Sequence, residues 1–75
     1  MKTYLLVYHS SEGKPPSEVV DRITSVGFKV QKGYYDFVYE WDTQESITEV
    51  VKIADVLHRV LKGTGVTFKL ETSPD

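Results

Sequence analysis

Four places in this 75-residue chain have residue types that could do chemistry. His9-Ser10-Ser11-Glu12 places a base, a hydroxyl and an acid in one run, the ingredients of an activated nucleophile. Consecutive residues on an extended segment point to opposite sides, so His9 and Ser10 do not easily share a proton and the run reads as a hydrophilic loop. Asp36, Glu40 and Asp42 fall at even spacing and could offer oxygens to a hard cation. Such a row is more often a solvated sheet face paired with lysines on neighbouring strands. Gly13-Lys14 lacks the G-x-x-x-x-G-K-[ST] frame that cradles a phosphate. His58 has no second His, Cys or spaced carboxylate beside it to complete a ligand set, and is expected to be a half-buried structural residue. The expectation is a protein that is not an enzyme, with no metal and no cofactor.

The elements that would position these groups follow from hydrophobic period and turn chemistry. Thr3 to Tyr8 are apolar, aromatic or β-branched on both alternating sets, which predicts a strand over 2–9 covered on both faces. Ser10 to Pro16 is turn chemistry throughout, and its prolines pre-set the first helical φ. Val19, Val20, Ile23 and Val26 recur at helical spacing, predicting a helix over 17–26 stopped by Gly27. Strands are expected over 28–32 and 35–41, joined at Gly33, with Phe28/Val30 and Tyr35/Phe37/Tyr39/Trp41 on one face. After the polar Asp42 to Glu45, Ser46 and Glu49 have capping-box spacing and open a helix over 46–62. Gly63-Thr64-Gly65 closes it, and a last strand over 66–71 presents Val66, Phe68 and Leu70.

This order is the split βαβ plan: an α+β, ferredoxin-like βαββαβ sandwich, a four-stranded antiparallel sheet with two helices on one face. One domain spans 1–72, and 73–75 are expected to fray. The first strand breaks the partition between apolar helix-facing and charged open-facing sets. Whichever of its sets faces the helices, Tyr4/Leu6/Tyr8 or Leu5/Val7 falls with Val38 in the middle of an open face otherwise carrying Lys29, Gln31, Asp36, Glu40, Lys69 and Glu71. Such a patch is what a binding or dimer surface looks like. The second helix repeats the surplus: Ile47, Val50, Val51, Ala54, Leu57 and Leu61 make a full core stripe, and Ile53, Val56 and Val60 widen it.

Composition sets the outer bounds. A domain of this length buries only about 60% of its unfolded surface and has no cysteine to cross-link, so association with a second copy is expected. The longest apolar run, Tyr4 to Tyr8, is too short to cross a membrane, and Met1-Lys2 enters it without a signal-peptide layout; a cytoplasmic protein is expected. A net charge of −2 with no basic block disfavours binding to nucleic acid through phosphates, although Lys29, Lys32 and Lys69 could gather on one sheet face.

Lys32-Gly33-Tyr34-Tyr35-Asp36-Phe37 fails the RNA-recognition signature K/R-G-F/Y-G/A-F, because Tyr35 stands at the small position and Asp36 at the stacking aromatic. Gly33-Tyr34-Tyr35-Asp36-Phe37-Val38, followed by Gly65-Val66, instead resembles the stand-alone effector-binding (RAM) domains of the Lrp/AsnC regulators. That resemblance implies a dimer packed open face to open face, with a small ligand such as an amino acid near the G-x-Y-D turn. Leu5-Leu6-Val7-Tyr8 with Gly27 to Gln31 also looks like the small CRISPR-associated nuclease subunit. That family ends its first strand in Asp where this chain has His9, so the resemblance brings no metal chemistry with it.

The functional expectation is a non-enzymatic homodimeric ligand-binding or regulatory module. Its site is placed at Tyr8, His9, Ser10, Tyr34, Tyr35 and Asp36, where strand ends and the Gly33 turn present polar groups. The alternatives are a nucleic-acid-binding protein using the open face, or an accessory subunit of a larger complex.

Overall fold

The computed structural model describes residues 1–42 and 46–74, so the expected polar lead-in at Thr43, Gln44 and Glu45 and the last tail residue, Asp75, lie outside the described residues. The elements are β1 (Lys2–Tyr8), α1 (Pro16–Val26), β2 (Lys29–Val30), β3 (Phe37–Glu40), α2 (Ile47–Val60) and β4 (Thr67–Ser73). They form one four-stranded sheet in the order β2-β3-β1-β4, every neighbouring pair antiparallel. This is the expected α+β, ferredoxin-like arrangement, with β1 and β3 central.

Leu5 and Val7 of β1 and Phe37 of β3 meet Val19 and Ile23 of α1 and Ile53, Leu57 and Leu61 of α2 in the core. Burying each such side chain contributes about 1.5–3 kcal/mol, which is why the strand's odd-numbered set fixes which way the sheet faces. Gly27 stops α1 in the left-handed conformation, φ 118°, and an added Cβ would meet the Tyr39 ring at 3.0 Å. Arg22 of α1 donates to the Val60 carbonyl at 3.0 Å while pairing with Glu18 at 2.5 Å, tying the free C-terminal carbonyls of α2 to the neighbouring helix.

Several expectations are corrected. Strand pairing in the second strand is confined to Lys29–Val30, and Val30, which shares the helix-facing side with its partner Phe37 as expected, is left exposed at the sheet edge instead of buried. The third strand starts at Phe37, so Tyr35 leaves the helix-facing set. In α2 the stripe is rotated: Ile53, Leu57 and Leu61 are buried, whereas Ile47 and Val51, expected in the core, are 75% and 51% exposed. At about 100° per residue, the arc centred on Leu57 takes in Ile53 and Leu61 and leaves Ile47 and Val51 on its flank. Ser46 is the N-cap as expected, but its side chain makes no capping bond, and Glu49 pairs with Lys52 at 3.3 Å instead of reaching back. His58 is exposed in the last turn of α2, not half-buried, a position where a cation would complement the helix dipole. The last strand ends two residues later than expected, since Ser73 belongs to β4 and pairs with Lys2.

Candidate binding face

The open face is built from β1 outward. Pairing sets Tyr4 opposite Val38 and Glu71, and Leu6 opposite Lys69, while Lys29 on β2 lies opposite Val38. Directly paired residues point to the same side, so Tyr4, Leu6, Tyr8, Val38, Lys29, Lys69 and Glu71 share this face.

Where β3 stops, Asp36 takes over the sheet's bonding. Its N–H donates to the Leu5 carbonyl at 2.9 Å, its carbonyl accepts from the Gln31 N–H at 2.9 Å, and its Oδ2 accepts the Val7 N–H at 2.9 Å. The carboxylate thus replaces a backbone acceptor, and the chain before it is released from strand alternation. Tyr35, expected to face the helices, instead lies across the open face. Its ring stacks on Tyr4 with centroids 4.9 Å apart and planes 26° apart, and its hydroxyl donates to Glu71 on the far side of β1. Tyr34 packs edge-on against Tyr35 at 5.0 Å and is itself 76% exposed. The Glu71 carboxylate accepting its proton, with desolvation and neighbouring charges behind it, pushes the Tyr35 hydroxyl up from the ordinary value to about 12. The hydroxyl is therefore neutral, and a donor, throughout the physiological range.

The apolar centre of the face is covered within the single chain. Leu6 and Val38, expected as an exposed patch, are 9% and 7% exposed in the single chain. What remains at the surface are two large aromatic side chains, Tyr34 and Tyr8 at the end of β1 opposite Thr67, beside the exposed charges of Lys29, Lys69 and Glu71.

Of the six residues expected to form a site, Tyr34, Tyr35 and Asp36 come together against β1, and Tyr8 lies on the same face. His9 and Ser10 sit in the following loop. Ser10 Oγ accepts the Glu12 N–H at 3.1 Å and its carbonyl accepts the Gly13 N–H at 3.2 Å, a local turn with no bond to His9. No cluster of three or more His, Cys, Asp or Glu able to hold a metal is found among the described residues.

A concavity of about 490 Å³ lies away from this face, between the C-terminal half of α1 and α2, walled by Val26, Trp41, Ile53, Val56 and Val60. Its aromatic wall is held in place from behind, because Trp41 Nε1 donates to the buried Thr3 Oγ1 at 2.8 Å and that hydroxyl lies 3.0 Å from Thr72 Oγ1. The surplus of apolar residues on the second helix signals this groove at Val56 and Val60. The part played by Trp41 depends on a buried hydroxyl chain that has no pattern in the sequence. No helix among the described residues is long and apolar enough to cross a membrane. Comparison of the chain with protein-family models, with curated proteins and with solved structures finds no match in any of the three.

Proposed function

We propose that the protein is a non-enzymatic, homodimeric ligand-binding or regulatory module whose working surface is the open face of the sheet around Tyr34, Tyr35, Tyr4 and Tyr8. The observation that carries this reading is the tyrosine tier. Tyr35 is held at both its ring and its hydroxyl, and so offers a rigid platform on which the exposed Tyr34 can close over a ligand at little entropic cost. Asp36 is spent on the sheet through one oxygen, so in this reading it positions the tyrosines and does not lead the binding. The resemblance to effector-binding domains supports the same place, next to the Gly33 turn.

A second reading, binding of a single-stranded nucleic acid, draws on one specific observation: Lys29 and Lys69 stand on the same face as the tyrosines, at opposite sides of the sheet. Backbone chemical-shift mapping with amino acids, and with a short oligonucleotide at low and high salt, separates the two. Amino-acid-induced shifts at Tyr8, Tyr34, Tyr35 and Asp36 support the first reading. Oligonucleotide shifts that vanish with salt support the second. Shifts confined to Trp41 and Val56 would overturn both. Tyr34→Ala should abolish the response and leave the unfolding free energy within about 0.5 kcal/mol of wild type, as for other exposed positions.

A further inference from the structure

We infer that two copies of this chain join through the outer edge of β4, antiparallel and centred on Leu70, to make one continuous eight-stranded sheet. The inference rests on the homodimer reading above and fixes its interface.

Among the described residues the sheet order gives β4 a strand partner on one side only, β1, so its other edge presents a row of main-chain donors and acceptors along the strand from Thr67 to Thr72. The other edge strand of the sheet, β2, is only Lys29–Val30. Natural sheets usually protect a long edge with a proline, a bulge or charged side chains. β4 has no proline between Thr67 and Ser73, Pro74 following the strand, and its two charges, Lys69 and Glu71, are of opposite sign.

The sequence of β4 is self-complementary about its midpoint. Antiparallel pairing of two copies at Leu70 sets Leu70 against Leu70, Phe68 against Thr72, and Lys69 against Glu71 twice. Opposed residues in an antiparallel pair share a face, so both Lys69–Glu71 contacts fall on the open side and the apolar pairs fall on the helix side. Leu70 and Phe68 are only half-buried in the single chain, though they pack against the core, and this pairing would cover them. Sliding the register by two residues in either direction sets Lys69 opposite Lys69 or Glu71 opposite Glu71, so charge selects one register among the three longest overlaps that keep the faces matched. Lys69 has no ion pair among the described residues, and Glu71 receives Tyr35 on one oxygen, leaving the other for the partner. The two-fold axis stands perpendicular to the sheet. Both tyrosine tiers therefore face the same way and stay open, unlike in a dimer packed open face to open face.

Sedimentation of the full chain over a concentration series should show a monomer–dimer equilibrium with a dissociation constant of roughly 10–100 µM, the weak end expected of a small edge interface. Lys69→Glu sets acid against acid, Glu71→Lys sets base against base, and each should weaken self-association by about tenfold or more. Mixing these two variants restores both attractions across one heterodimer, and the double exchange restores them in a homodimer, so each should recover the wild-type mass. A misfolded variant would recover nothing, and far-ultraviolet circular dichroism identifies it; the double exchange and amide exchange then carry the test. Amides of residues 68–72 that gain protection with concentration in the wild type support the inference. A wild type that stays monomeric would overturn both this inference and the homodimer reading. A wild-type dimer indifferent to all the charge exchanges would overturn this interface alone.

Discussion

The Tyr35 hydroxyl and the Glu71 carboxylate form one unit that bridges β1 from above, and their chemistry sets a pH window. With its folded-state value raised from about 10 to about 12, the tyrosine contributes its bond in full below pH 10 and loses it as pH climbs through 12. An ultraviolet titration of the phenolates should therefore show one tyrosine ionising last, near pH 12. Glu71→Gln removes the carboxylate and should return that step toward the ordinary range; a titration unchanged by the substitution would show that the two groups do not meet. Asp36 carries a different lesson. Its type and position at a turn suggested a ligand group, whereas it serves as the acceptor for a strand N–H, a role with the same sequence signal.

At the scale of elements, loop packing is as exacting as core packing. The turn at Gly13 lies against the turn after α2: Lys14 N–H donates to the Thr64 carbonyl at 2.9 Å, and an added Cβ at Gly13 would sit 2.1 Å from that same oxygen. Gly13→Ala must push two backbones apart, and should cost about 1–3 kcal/mol, or roughly 4–20 °C in melting temperature for a domain of this size. A melting temperature within error of wild type would show that the loops do not touch. The element order, the two helices and Gly27 as a stop were legible in the sequence, because period and capping act locally and agree with each other. The failures are non-local. Tyr35 departed from its expected face because a side chain 29 positions away from Val7 took over a strand bond. The α2 stripe was read with Ile47 and Val51 in the core because an apolar arc this wide does not say which part of it meets the sheet. The capping box at Ser46 has the right spacing, yet Glu49 lies within 3.3 Å of Lys52 and is drawn there.

At the scale of the molecule, a sheet with helices on one side leaves its other side to be covered, and in this chain the β2–β3 connection lays one aromatic ring on it. Leu6 and Val38 are nearly inaccessible without any partner chain, while Tyr35 lies on Tyr4, the residue directly opposite Val38. If that ring is what keeps water from the apolar floor, Tyr35→Ala opens it. The variant loses the stacked aromatic contact with Tyr4 together with the hydrogen bond to the Glu71 carboxylate. The protein should melt several degrees lower, bind the dye ANS where the wild type does not, and associate through the uncovered face as concentration rises. Tyr34→Ala, which removes the outer ring and leaves the inner one, should do none of these. Should Tyr35→Ala neither bind the dye nor lose stability, the floor is shielded by the flanking Lys29 and Lys69 side chains instead, and replacing those two lysines with alanine should then produce the dye binding that the tyrosine did not.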